Sequence, residues 1–440
     1  MYSGSIPDVA SNLLWSDAGD LRPSVLALSG YRPVRTSLLI QTDASTAGLL
    51  QPIVAGILAA VVGYASTFAL LLAAYTATGA SPAEAGSGLL AVCLAVGLLN
   101  VVISWRLKVP LSFAWSTPGA AFLLTVGAPA GGYPAAAGAF LMTAALIVLA
   151  GLWRPFARAV AAIPAAIANA MLAGILLTLC LAPLKAVAEL PLLALPIVLS
   201  WAVALRFARR YAVPIAVAVT AAALAATTDM AAGGIGAAWP SLVLVTPAFT
   251  LDAFARITLP LFVITMASQN LPGLAVMKAN GYAVRPAPQF ISTGLASAVL
   301  APFGGHTVNL AAITAALCAG PEAHPDPARR WVAPVAAGWT YVALGLFAGL
   351  AAAFIAASPP LLIEAVAGLA LLPSLSSSLV HALSDEEQRL PAILAFVTAA
   401  SGITLLGIGA AFWGLIAGIA MILLQRSYRP RVVTSAEPSK

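Results

Sequence analysis

Apolar runs of about 20 residues recur along this chain from residue 50 to residue 425, each long enough to cross about 30 Å of hydrocarbon as a helix. The runs are rich in Ala, Leu, Gly and Val and show no period-two alternation, which favours a helix bundle over a β-barrel. Charge argues the same way. Only 8% of the 440 residues are charged and 61% are hydrophobic, against about 25% charged in a soluble domain. The 35 Gly and 32 Pro are tolerated in a bilayer-spanning bundle and are needed wherever its helices are broken.

Spans are expected at 50–78, 84–104, 116–127 (short), 133–152, 161–182, 190–207 and 212–228. A second set follows at 257–278, 288–301, 307–319 (short), 332–357, 359–381, 390–410 and 412–425, the last two divided at Phe412-Trp413. The expectation is thus an all-α polytopic membrane protein of about 14 segments, with repeats over 48–230 and 257–426. An extracytoplasmic loop falls at 231–256, and cytoplasmic tails at 1–47 and 427–440. Residues 1–47 lack the basic, apolar, small-residue order of a signal peptide. With the N-terminus in the cytoplasm, 19 of the 21 Lys and Arg fall inside and only Lys185 and Arg256 outside. That is a strong positive-inside bias. The basic charge balance is therefore a topology signal, and no nucleic-acid partner is expected. An odd number of spans per half makes the halves inverted repeats. Cys93, Cys180 and Cys318 lie in apolar runs without metal-ligand spacing and are expected to pack.

Two polar, small-residue interruptions break segments 3 and 10: Ser112-Phe113-Ala114-Trp115-Ser116-Thr117-Pro118-Gly119 and Pro302-Phe303-Gly304-Gly305-His306-Thr307-Val308-Asn309. Paired broken spans at matching places in two halves point to a midplane substrate site, and so to transport. Gly304 and Gly305 allow close backbone approach. A short helix starting near Thr307 would aim free N–H groups and a positive dipole end at the gap, which suits a carboxylate. His306, the one histidine expected at mid-membrane, is a candidate for charge compensation; the plainer alternative is a neutral ring bonded to a backbone carbonyl. Asn309 either lines the site or bonds to the backbone. Trp115, Ser116 and Thr117 offer an aromatic wall and hydroxyls, or simply packing and a helix cap. In the first span of the second half, Thr265, Ser268, Gln269 and Asn270 are either ligand contacts or glue between helices. Tyr64 lies mid-span in the first helix, as a second ring for the site or as core. Glu364, the acid inside a confident span, is a second proton-coupling candidate.

No GxxxxGK[ST] motif indicates an ATP-driven pump, and no HExxH or Cys/His cluster indicates a metal site, so no cofactor and no metal are expected. An enzyme acting on a lipid or quinone would need a nucleophile–base pair that the chain does not display. A channel remains a third class.

The stretches SFAWSTPGAA at 112–121, TMASQNLPGLAVMKANGY at 265–282 and FGGHTVNLAAITAA at 303–316 resemble the bacterial benzoate:proton symporters. The likeness runs from about residue 48 to 425. That family is similar in fold to nucleobase–ascorbate and sulfate-type transporters. The resemblance implies a core domain of segments 1–4 and 8–11 moving against a gate of 5–7 and 12–14. It also implies segments 3 and 10 built as a short strand followed by a half helix. Nucleobase carriers place acids where this chain has His306 and Gln269–Asn270, which argues for an anionic ligand here. The implied function is import of benzoate or a related aromatic carboxylate with a proton, across a bacterial inner membrane. The carboxylate would lie near Ser116, Thr117, Thr307 and His306, and the ring against Trp115 and either Phe113 or Tyr64. His306 would carry the proton. An exchanger or uniporter of sulfate, bicarbonate or a dicarboxylate is the alternative on the same fold, and a homodimer through the gate is left open.

Overall fold

The computed structural model describes residues 48–161, 163–208, 211–227, 241–356, 358–405 and 408–427. The tail expected at 1–47, all but Ser427 of the tail expected at 427–440, and the first part of the loop expected at 231–256 lie outside the described residues. The first half contains α1 (Leu50–Ala77), α2 (Pro82–Leu107), the strand β1 (Phe113–Trp115), α3 (Thr117–Val126) and α4 (Gly132–Leu152). There follow α5 (Arg154–Ala161), α6 (Ala165–Cys180), α7 (Ala182–Glu189), α8 (Pro191–Phe207) and α9 (Ala212–Thr227). The second half begins with α10 (Leu251–Ala279), one long helix containing two π turns at Phe254–Thr258 and Met266–Asn270. Next come α11 (Pro286–Leu300), β2 (Val308–Leu310), α12 (Ala312–Ala319), α13 (Val332–Gly345) and α14 (Ala348–Ala356). The described chain ends with α15 (Pro360–Leu383), α16 (Arg389–Ala400), the β3–β4 hairpin (Thr404–Leu405, Ile408–Gly409) and α17 (Ala410–Ser427).

Among the described residues, six stretches are long and apolar enough to cross a bilayer: α1, α2, α4, Ala165–Glu189, α10 and α15. The α13–α14 pair is a seventh, bent by 57° at its break. This is a mostly helical membrane protein.

Four sequence expectations are corrected. The second short helix begins at Ala312, five residues beyond the expected Thr307, because 308–310 is extended and paired with β1. The last two helices part at the 401–409 hairpin, which places Phe412 and Trp413 inside α17. The span at 332–357 is two bent helices, and α10 starts six residues earlier than the expected 257. The two-turn helix α5 was not anticipated; its Phe156 ring stacks on Trp153 (6.3 Å) and on Phe262 (5.7 Å).

Helices pack by close approach, as they must where lipid is as apolar as leucine. At the α2–α13 crossing a Cβ on Gly97 would stand 2.8 Å from the Gly338 carbonyl, and one on Gly338 2.6 Å from the Gly97 carbonyl. One group of helices brings α1, α2 and α13 together and joins α11 to α4. Another gathers α15, α16 and α17 on α6 and α8 on α9. The first helix of each half also leans on the other half's broken segment. Gln51 Nε2 donates to the Glu322 carbonyl beyond α12 (3.1 Å), and Asp252 accepts from the Ala130 N–H beyond α3 (3.0 Å).

Candidate functional site

Strands β1 and β2 pair antiparallel, Phe113 with Leu310, Ala114 with Asn309 and Trp115 with Val308. The pairing continues at both ends, Ser116 N–H to Thr307 O at 3.1 Å and Ala311 N–H to Ser112 O at 2.9 Å. Helices α3 and α12 leave the pair at opposite ends, so their N-termini approach the strands from opposite sides. A two-stranded ribbon has two open edges, and in a bilayer no water is there to complete them.

Side chains complete them instead. Asn100 on α2 acts as a substitute strand for β1: its Nδ2 donates to Phe113 O (2.8 Å) and its Oδ1 accepts from Phe113 N–H (3.0 Å). On β2, Asn270 Oδ1 accepts from Leu310 N–H (3.0 Å), Asn309 Nδ2 donates to Leu310 O (2.8 Å), and Ser297 Oγ accepts from Val308 N–H (2.9 Å). Asn309 thus bonds the backbone, one of the two roles the sequence allowed, and Asn270 serves strand backbone through Oδ1 and Met266 Sδ through Nδ2 (3.3 Å). Asn309 Oδ1 remains buried without a partner.

At the end of the pair where α3 starts, three hydroxyls meet. Thr265 Oγ1 bonds Ser116 Oγ (3.1 Å) and Thr307 Oγ1 (3.2 Å), and all three residues are buried. Ser116 is the N-cap of α3, its Oγ accepting from Gly119 N–H (3.1 Å). With the Ala120 N–H on Ser116 O and Pro118 lacking a donor, Thr117 N–H is the donor left over at this helix start. Helix α12 carries no side-chain cap at its N-terminus.

His306 lies beneath this cluster, fully buried, rather than at an open mouth. Its Nε2 donates to Ser116 O (3.1 Å) and its Nδ1 meets Tyr75 Oη (2.9 Å), while Tyr75 Oη also accepts the His306 N–H (3.3 Å). A carbonyl only accepts, so the Nε2–H tautomer with Tyr75 donating to Nδ1 satisfies every group. The ring also meets the edges of Tyr75 and Phe140 (centroids 5.7 and 6.4 Å). Gly304, at φ +83°, gives its carbonyl to Tyr133 Oη (2.7 Å), and Gly305 N–H bonds Leu300 O (3.2 Å). These glycines serve close packing: a Cβ on Gly304 would stand 2.6 Å from Tyr133 Oη. A ligand contact by Gly304 or Gly305 is not what this packing provides.

An aromatic wall flanks the strands. Tyr64 stacks on Phe68 (5.3 Å) and meets Trp115 edge-on (6.3 Å), and Trp115 meets Tyr341 (5.4 Å). Trp115 Nε1 donates to Thr67 Oγ1 (3.1 Å). Tyr64 Oη is buried and has no partner. Phe113 is wholly buried and does not reach an open surface. Thr117 and Gln269 are half-buried, and among the described residues their side chains make no hydrogen bond. Glu364 is half-buried in the second turn of α15; no bond joins it to the strand crossing among the described residues. Asn100, Tyr75 and Tyr133 were not singled out by sequence reasoning. A lone amide or phenol inside an apolar run was the available signal.

The family model described as Benzoate membrane transport protein matches residues 48–424. The chain is 42% identical to Inner membrane protein YdcO of Escherichia coli over 366 residues, covering 83% of this chain and 93% of that protein. It is 32% identical to the Benzoate membrane transport protein of Acinetobacter baylyi over 372 residues, covering 84% of this chain and 94% of that one. In fold it is similar to the solved structure of SLC26A9, with TM-score 0.53 and 12% identity, over 84% of this chain and 65% of that longer one.

Proposed function

The chain belongs to the benzoate membrane transport protein family, and from that premise we propose that it imports benzoate or a closely related aromatic carboxylate across a bacterial inner membrane together with a proton. The matching family and the relative from Acinetobacter baylyi are named as membrane transport proteins, not as enzymes. We place its 14 segments in two inverted repeats, both termini in the cytoplasm, with segments 1–4 and 8–11 moving against 5–7 and 12–14. The reciprocal reach of Gln51 and Asp252 over the opposite half's broken segment supports that symmetry. The division of helix packing into two groups supports the core and gate.

One observation carries the substrate class: a wall of Tyr64, Phe68 and Trp115, the last on the strand that leads into α3, holds a buried Tyr64 hydroxyl with no partner among the described residues. The stretches 112–119, 265–270 and 303–309 contain no Asp, Glu, Lys or Arg. A ring would stack in the wall. A carboxylate would take the Tyr64 hydroxyl, Thr117, Gln269 and the helix N-termini, whose partial charges favour an anion. Ser116, Thr265 and Thr307 would hold the α3 terminus in place behind it.

The proton is assigned to His306. Its ring ties α1 (through Tyr75) to the cap of α3 (through Ser116). If Nδ1 also carried hydrogen, Tyr75 would have to turn its hydroxyl away and find another acceptor. Protonation would therefore loosen the joint between the first helix and the broken segment.

The test is radiolabelled benzoate uptake into proteoliposomes under an inward proton gradient, with and without a protonophore. Saturable accumulation that the protonophore abolishes is expected, with aliphatic carboxylates competing poorly. Uptake that ignores the gradient would remove the proton from the scheme. Equal competition by sulfate would remove the aromatic requirement.

A further inference from the structure

Each half-helix is held at its outer end by an arginine. The carbonyl of Val126, the last residue of α3, accepts from Arg256 Nη2 at 3.2 Å. The carbonyl of Ala319, the last residue of α12, accepts from Arg330 Nη1 at 2.8 Å.

The two arginines differ in their surroundings. Arg256 has the Asp252 carboxylate at 3.6 Å, and its side chain is 23% exposed. Arg330 is 7% exposed, and two more of its donors go to carbonyls, Nε to His324 O at 2.7 Å and Nη2 to Pro325 O at 3.3 Å. The Tyr282 side chain stands beside it. Among the described residues no carboxylate lies within ion-pair distance of Arg330, and Asp326 pairs with Arg329 at 3.6 Å instead. A guanidinium keeps its charge in a protein. Burying that charge without a counter-charge is costly. Neutral donors would cap the same carbonyls without that cost, so capping alone does not account for the charge.

We propose that Arg330 is a fixed cation set behind half-helix α12, where its field adds to the helix dipole and raises the affinity of the strand crossing for an anion. This rests on the anionic substrate proposed above. The eight residues of α12 place the charge about 12 Å behind the N-terminal end at 1.5 Å per residue. Over that distance, at an effective dielectric near 20, the attraction for a monovalent anion corresponds to about a tenfold change in affinity. Arg256, neutralised by Asp252, adds little to the same field.

The experiment measures KM and Vmax for benzoate in proteoliposomes containing the wild type, R330Q, R330K, P325D or R256Q. P325D puts a carboxylate on the exposed residue whose carbonyl accepts from Nη2 and removes none of the three acceptor carbonyls, so it serves if R330Q fails to fold. We expect R330Q and P325D to raise KM about tenfold with Vmax within about twofold, and R330K and R256Q to stay near the wild type. Unchanged KM in P325D or in folded R330Q would overturn the proposal. So would R330K as impaired as R330Q, which would make the residue a hydrogen-bond clamp. No uptake by the wild type would overturn the benzoate assignment and this inference together; wild-type uptake with indifferent variants would overturn this inference alone.

Discussion

Replacing Asn100 by leucine tests whether an amide side chain is what allows a strand to exist at this depth. Asn100 is 1% exposed, and it takes both outward-facing backbone groups of Phe113, at 3.0 and 2.8 Å. Leucine has the same branching and the same number of side-chain heavy atoms, somewhat more volume, and neither bond. Two buried backbone groups would then lack partners, at about 1–3 kcal/mol each, or about 2–6 kcal/mol together. Little returns from the added apolar surface, because the reference state of a membrane helix is already hydrocarbon. That loss is a large fraction of a typical folding free energy of about 5–15 kcal/mol. The assay is reversible unfolding in mixed micelles, with Asn169→Leu as control. Asn169 is half-buried, and its bond to the Ala165 carbonyl one turn back on its own helix (2.8 Å) is exposed, so a change well below that of N100L, about 0.5–1 kcal/mol, is expected there. Because β1 leads directly into the Ser116 cap, benzoate uptake should be lost in N100L even where folded protein is recovered. If N100L unfolds together with the Asn169 control, the outer edge of β1 needs no amide, and the account of how the ribbon is completed is wrong.

Three further outcomes are expected. Tyr64→Phe should leave stability unchanged, since the hydroxyl has no partner, but should raise the KM for benzoate about tenfold or more if the hydroxyl meets the carboxylate; an unchanged KM would take Tyr64 out of the site. His306→Gln keeps a donor for Ser116 O and an acceptor for Tyr75 but cannot titrate, so it should retain benzoate counterflow and lose accumulation driven by a pH gradient; gradient-driven accumulation by this variant would end the coupling role of His306, and the parallel Glu364→Gln variant would show whether that acid takes it. Gly88→Ala puts a Cβ 2.7 Å from the Gly304 carbonyl and 2.9 Å from the Tyr75 ring, and should cost about 1–3 kcal/mol in the same unfolding assay; a neutral result would mean that the packing around Gly304 has room.

The two interruptions were legible because Ser, Thr, Gly and Pro are conspicuous in apolar sequence, and Ser116 as a cap followed by Pro118 is a local signal for a helix start. The start of α12 was not legible. Val308, Asn309 and Leu310 suit a helix as well as a strand, and they are extended because β1, nearly 200 residues away in sequence, pairs with them. The π turn at Met266–Asn270 was invisible for a related reason. It turns Asn270 toward Leu310 N–H and leaves Gln269 half-buried, and nothing in five residues of sequence records a helix widened by one residue. For His306 the sequence allowed a charge-compensating ring or a neutral ring bonded to a backbone carbonyl, and it could not say which carbonyl. The ring's partners Tyr75 and Ser116 come from a different helix and a different broken segment.

The polar residues around the crossing divide by what their hydrogen-bonding capacity already serves. Asn100, Asn270 and Ser297 complete strand edges, Tyr133 holds Gly304, and His306 with Tyr75 braces the α3 cap. Such groups cannot also bind a substrate without exposing backbone that lipid will not satisfy. What remains uncommitted among the described residues is small: the Tyr64 hydroxyl, Ser112 Oγ, Asn309 Oδ1, Thr117, Gln269 and the uncapped start of α12. None carries a formal charge. An anion held by this set must therefore be held by dipoles, with formal charge kept at a distance. A distant charge acts nearly equally on any small anion, whereas a stacked ring and one well-placed hydroxyl do not. Discrimination between an aromatic and an inorganic anion should then reside in Tyr64 and Trp115, and general anion affinity in the charge behind α12. Substitutions in the first group should change the ranking of competitors, and substitutions at Arg330 should shift all of them by a similar factor.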